Sequence, residues 1–125
     1  MTFIWVGVFG AIGSMLRFGV SHWLGFNFTS TLFVNLIGCF IAGIILGITS
    51  AQPDWIHDRY ERPIVVGLLG GFTTFSAFSL DTVHLWTQEG TFRAMIYGAG
   101  TPIACILLAF GGYALGFSFG RAAQS

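Results

Sequence analysis

Marked for apolar and polar positions, the chain divides into four long apolar runs separated by short polar ones. The runs are Thr2 to Leu24, broken only by Arg17 and His22, then Ser30 to Ser50, Pro63 to Trp86 and Ala94 to Phe119. Each reaches the roughly 20 residues that a helix needs to cross the hydrocarbon of a bilayer. The pattern predicts an all-α membrane protein, with four transmembrane helices forming one domain over residues 1–125. A cleaved signal peptide is the competing reading of the first run. It lacks a basic start, and Arg17 stands where the apolar stretch of such a peptide would have to continue.

The third run is the irregular one. Gly67 to Ser79 reads GLLGGFTTFSAFS, in which Gly70 and Gly71 are followed at once by the β-branched Thr73 and Thr74. Each glycine weakens a helix by roughly 1 kcal/mol relative to alanine, so the reading places a break at the glycine pair and a restart near Thr73. In hydrocarbon a freed backbone N–H or C=O costs several kcal/mol unless protein, water or an ion satisfies it. Broken helices at membrane depth therefore tend to line ion or substrate sites.

Composition agrees with a lipid surround. Hydrophobic residues make up 54% of the chain and charged residues 8%, against about 25% charged in soluble domains. With zero formal net charge and no lysine, a nucleic-acid role has no electrostatic support. Cys39 and Cys105 fall inside predicted spans and read as small apolar side chains, not as a disulfide framework or metal site. Ala51 to Arg62 is densely charged and reads as a water-exposed loop. His57 within it reads as solvated, since no second histidine or cysteine stands at metal-binding spacing.

Several polar or small residues inside the spans are candidates for packing or for chemistry. Gly7, Gly10 and Gly13 make a face on which another helix can approach closely. Arg17, about 25 Å along that helix by the usual rise, is either a snorkelling anchor or a guanidinium that attracts anions. Asn35, with Thr31 one turn before it, either bonds a neighbouring helix or offers its two amide hydrogens to something crossing the membrane. Phe75 and Phe78 share a face; they are either packing or a pair of rings whose positive edges can meet an anion. Ser76 and Ser79 form a neighbouring hydroxyl pair.

Asp81 is the acid within a predicted span, either hydrated near an interface or placed at a vestibule or gate. Tyr97, Thr101 and Cys105 recur at every fourth position and form one stripe of the last helix. Gly98, Gly100, Gly111, Gly112 and Gly116 again permit close packing there. Four crossings put Arg59, Arg62 and Arg121 on one side, against Arg93 and Arg17 on the other. So slight a bias lets a chain insert both ways up. No nucleophile, base and orienting group stand together, so catalysis is not expected.

With these residues in view, the chain resembles the small fluoride channel family (Fluc, also called CrcB). The likeness spans all four helices and rests on GAIGSMLRF around Arg17, TLFVNLIGCFIAG around Asn35 and GLLGGFTTFSAFS around the break. It implies a passive fluoride-selective channel in a prokaryotic inner membrane that exports the ion and relieves its toxicity. It further implies an antiparallel, dual-topology homodimer, or a pair with a sister chain, holding two pores built from both subunits. By the same resemblance Asn35, Phe75, Phe78, Tyr97 and Thr101 line the fluoride pathway, with Thr31 and Ser76 along it. The carbonyls of Gly70 and Thr73 would hold a structural Na⁺ on the two-fold axis, with no organic cofactor. Arg17 would attract anions at the vestibule, and Asp81 would be a gate. The family usually has glutamate at the Asp81 position, and often a hydroxyl where this chain has Cys105. The alternatives are a fluoride/proton exchanger and a small multidrug-type carrier. The exchanger needs a titratable group in the membrane, for which only Asp81 could serve, and the carrier needs an embedded carboxylate, of which the first helix has none.

Overall fold

A computed structural model describes residues 2–56 and 58–124, so His57 lies outside the described residues. Among them every regular element is helical, and four stretches are long and apolar enough to cross a membrane: Phe3–Leu24, Phe28–Ala51, Arg59–Gln88 and Thr91–Ala122.

Helix α1 (Thr2–Leu24) ends at Gly25, whose φ of 89° is a left-handed turn that glycine adopts without strain. The next helix, α2 (Phe28–Ala51), begins two residues before the expected Ser30. Asn27 caps it: its Oδ1 accepts from the Thr29 and Ser30 amides at 3.0 and 3.2 Å, satisfying N–H groups that a helix start leaves open. At the other end Gln52 Nε2 donates to the Gly120 carbonyl at 2.7 Å and ties α2 to the last helix.

The charged stretch is only partly a loop. A short helix, α3 (Asp58–Arg62), runs straight into a π-helical segment, Pro63–Leu69, and then into α4 (Gly70–Phe72). Proline has no N–H to give and its ring crowds the carbonyl four residues back, a crowding that a wider turn relieves. Thr73 and Thr74 are extended, at φ −81°, ψ 158° and φ −151°, ψ 119°, before α5 (Phe75–Gln88). Gly90, with φ 103°, turns the chain into α6 (Thr91–Ala122).

The break therefore lies at Thr73 and Thr74, not at the glycine pair, and the helix restarts at Phe75. Gly70 and Gly71 are both helical, and at Gly71 α1 uses the missing side chain. A Cβ on Gly71 would come to 2.5 Å from the Gly10 carbonyl oxygen, and one on Gly67 to 2.7 Å from that of Val6. Gly13 presses on the Leu68 carbonyl in the same way, whereas Gly7 has nothing within 4 Å and is no part of the contact.

Packing follows two pairings. Helix α1 lies on the first half of the third span, and α2 lies on α6. In the second pair Gly43 meets Ala109, Gly47 meets Tyr113, Gly112 meets Phe40 and Gly116 meets Ile44, all at backbone contact. Numbers rise together on both helices, so α2 and α6 run parallel. Gly100 and Gly111 have no such neighbour. Phe78 and Leu85 of α5 complete a small core with Ala94 and Tyr97 of α6. Within the most apolar window of each span, 39% of residues are buried in α2 and 6% in α1, which makes α2 the central helix and leaves α1 facing its surroundings.

Candidate functional site

Asn35 and Thr74 are the hinge of the site. The broken third span leaves the Thr74 peptide without helical partners, and α2 supplies them. Asn35 Nδ2 donates to the Thr74 carbonyl at 3.0 Å, and the Thr74 amide donates to Asn35 Oδ1 at 2.8 Å. Both residues are buried. Left unsatisfied, either Thr74 group would cost about 1–3 kcal/mol or more. The interhelical reading of Asn35 is thus realised, and it does not use up the amide. One of its two hydrogens serves Thr74, and no other partner of the amide is found among the described residues.

The break also releases backbone groups. Thr73 N–H still returns to the Leu69 carbonyl at 2.9 Å, but Thr74 N–H goes to Asn35, so the Gly70 carbonyl loses the donor four residues on. Thr74 begins α5 as its cap, its Oγ1 accepting from the Ala77 amide at 3.2 Å. The first amides of α5 have no acceptor within the helix, and the positive end of its dipole points at the break.

Two clefts open on either side of this hinge, and Thr74 lines both. The first, of about 400 Å³, is walled by Ser14, Arg17, Asn27, Ser30, Thr31 and Asp81 among others. Arg17 is half-buried there, and among the described residues it makes no ion pair. The guanidinium therefore faces the cleft with no carboxylate salted to it. Asp81 Oδ2 is buried and lacks a hydrogen-bond partner, as does the Tyr97 hydroxyl. These two groups are near enough to interact but do not close a hydrogen bond.

The second cleft, of about 300 Å³, holds Asn35, Phe75, Phe78, Thr101, Cys39 and Cys105. No charged side chain lines it. The Phe75 and Phe78 rings lie 5.3 Å apart and tilted by 47°, and Phe78 lies 5.3 Å from the Tyr97 ring. They are not equivalent. Phe78 is 7% exposed and belongs to the core, whereas Phe75 is 76% exposed and projects from the chain.

The sequence candidates are thus split. Asn35, Phe75, Phe78 and Thr101 meet at the aromatic cleft, and Tyr97 backs onto it through Phe78. Thr31, Arg17 and Asp81 meet at the polar one. Ser76 lines neither; it is exposed, its hydroxyl 3.2 Å from that of Thr74, and Ser79 bonds the Phe75 carbonyl, so the two serines do not act as a pair. Thr73 is the first residue of the break and lines the aromatic cleft, and Gly70 begins the short helix before it. Thr74 was missed because its part is played mainly by backbone. The Asn-Phe-Thr-Ser run before α2 was a legible cap signal for Asn27.

Residues 4–113 match the family model described as CrcB-like protein, Camphor Resistance (CrcB). The chain is 39% identical over 119 residues to a fluoride-specific ion channel FluC of Thermus thermophilus, covering 91% of this chain and 92% of that protein. It is 40% identical over 123 residues to a fluoride-specific ion channel FluC 2 of Listeria monocytogenes, covering 97% and 88%. With a FluC of Pseudomonas fluorescens it shares 35% identity over 111 residues, covering 85% and 89%.

Proposed function

The chain belongs to the CrcB-like family, and from that premise we propose that it is a passive fluoride-selective channel whose path joins the two clefts across the hinge between Asn35 and Thr74. It is a multi-pass protein of the bacterial inner membrane, with fluoride as the transported ion. Stripping water from a small anion costs tens of kcal/mol in a bare low-dielectric medium, so the path must replace hydration in steps. Arg17 draws the ion into the polar cleft. Beyond Thr74 it meets the spare Asn35 hydrogen, the ring edges of Phe78 and Phe75, and the hydroxyls of Thr101 and Tyr97. Each contact is weak, which suits an ion that must leave as readily as it enters.

One observation carries this reading: a buried donor with capacity to spare, the Asn35 amide, lines a cleft edged by aromatic rings and free of fixed charge, with the unpartnered Tyr97 hydroxyl on the ring that packs against Phe78. In the same reading two inverted copies pair, and the projecting Phe75 supplies its ring to a path shared with the partner. A Na⁺ fits the break, because the Gly70 carbonyl has lost its helical donor and the Ala77 amide that would reach the Thr73 carbonyl goes to Thr74 Oγ1 instead. Held by those carbonyls, the cation would fasten the unwound segments without taking part in conduction. Asp81 gates by drawing the Tyr97 hydroxyl out of the path.

The deciding experiment is a fluoride-electrode record of efflux from liposomes that contain only this protein. Rapid efflux that ignores an imposed pH gradient is the expected result. Release no faster than from protein-free vesicles would overturn the channel, and release driven by the gradient would make it an exchanger.

A further inference from the structure

Cys39 and Cys105 are the only cysteines in the chain, and the register of α2 on α6 brings them together. Gly43 meets Ala109 and Gly47 meets Tyr113. One step of four back along both helices aligns Cys39 with Cys105, and a second aligns Asn35 with Thr101. All four residues line the aromatic cleft. Both thiols are free and half-buried. The glycines below them hold the helix backbones in contact, so neither thiol can move far from the other.

We propose that Cys39 and Cys105 form a two-coordinate site for a soft d¹⁰ cation such as Hg²⁺, Ag⁺ or Cu⁺, and that filling it closes the ion path. Thiolates select soft metals, and a linear sulfur–metal–sulfur unit spans about 4.6 Å, taking about 2.3 Å per bond. That suits two facing side chains of adjacent helices. No group of three or more histidine, cysteine or acidic side chains stands together among the described residues, so a closed tetrahedral site of the zinc type is not available.

On binding, each thiol passes its proton to water and its sulfur donates an electron pair to the metal. Two thiolates with Hg²⁺ make a neutral plug beside Asn35. With Ag⁺ or Cu⁺ they leave one net negative charge on an anion path, where it repels fluoride. Without metal the cleft carries neither plug nor added charge and passes the ion.

The test uses the intact purified protein and Hg²⁺ alone. Ultraviolet sulfur-to-mercury absorbance and a count of alkylatable thiols should show one Hg²⁺ per chain that consumes both cysteines and is released by dithiothreitol. Cys39→Ser and Cys105→Ser should each weaken binding by about a hundredfold or more, as expected when a chelating pair becomes a single ligand. Two Hg²⁺ per chain, or single variants that bind as tightly as the unmodified chain, would overturn the site. Its effect on flux rests on the channel reading, and is scored against each variant's own metal-free efflux. Efflux that continues with one Hg²⁺ bound per chain would overturn the closure. Silent metal-free vesicles would instead sink the channel reading, while the stoichiometry still reports on the thiols.

Discussion

The two clefts that share Thr74 are of similar size and opposite chemistry. One has a guanidinium and a carboxylate on its walls; the other is built from an amide, hydroxyls, thiols and rings without a formal charge. The difference follows from solvent. Arg17 is part-exposed in the last third of α1, where water in the polar cleft can hydrate it, whereas Asn35 and Thr101 are buried beside the Phe78 core. A charge fixed at the second place would be poorly solvated and would hold a counter-ion too tightly to release it. In the proposed channel, full charge would therefore collect the ion where it is still wet, and weak neutral donors would carry it where it is dry.

The severest way to break that division is to put a charge in the neutral cleft. Asn35→Asp sets an anion beside the path, and two like charges about 4 Å apart repel by about 4 kcal/mol at an effective dielectric of about 20, or about a thousandfold in rate. Fluoride efflux from liposomes should fall to background. The same change removes the donor to the Thr74 carbonyl, so Asn35→Ser is the companion. It disturbs the same two bonds without adding charge, and should conduct measurably better. Equal loss in both would assign the effect to the hinge and not to the charge.

A milder change tests the rings. Phe78→Ala removes an aromatic edge worth about 0.5–1.5 kcal/mol, so efflux should drop by up to about tenfold. It also empties a core position, for which about 3–5 kcal/mol of stability is the usual loss. Phe75→Ala separates the two effects. Its ring is exposed on the single chain, so thermal unfolding in detergent should hardly move while efflux falls. Phe110→Ala, also exposed and outside the aromatic cleft, should leave efflux near normal. If Phe75 and Phe110 behave alike, the rings are packing only.

The contrast between the clefts was only half legible in the sequence. Four apolar runs announced four spans, and Asn35, Phe75, Phe78 and Thr101 stood out as polar or aromatic positions at helical spacing. The break was misplaced by two to three residues because local propensity was allowed to decide it. Gly70 and Gly71 are poor helix formers in isolation, yet contact with Gly10 keeps Gly71 helical, and the amide of Asn35, 39 positions away, holds Thr74 extended. Nothing local encodes a bond of that separation. The pairing of Cys39 with Cys105 escaped for the same reason, since it depends on the register of two helices set by glycines further along both.

The smallest effect belongs to the charged cleft and sharpens its side of the comparison. Arg17→Gln removes the cation and keeps a hydrogen-bonding side chain of similar reach. Across about 10 Å of water, a unit charge attracts an anion by about 0.4 kcal/mol, worth about twofold in local concentration. Efflux at low ionic strength should fall by about that factor. The screening length shrinks from about 10 Å at 0.1 M salt to about 3 Å at 1 M, so the variant and the unmodified chain should converge as an impermeant salt is added. Convergence is the informative part of the measurement, because a guanidinium that touches the ion directly would be little screened and its loss would persist in salt. A persistent deficit would move Arg17 from collecting the ion to coordinating it, and the line between a wet charged cleft and a dry neutral one would have to be redrawn on the far side of Thr74.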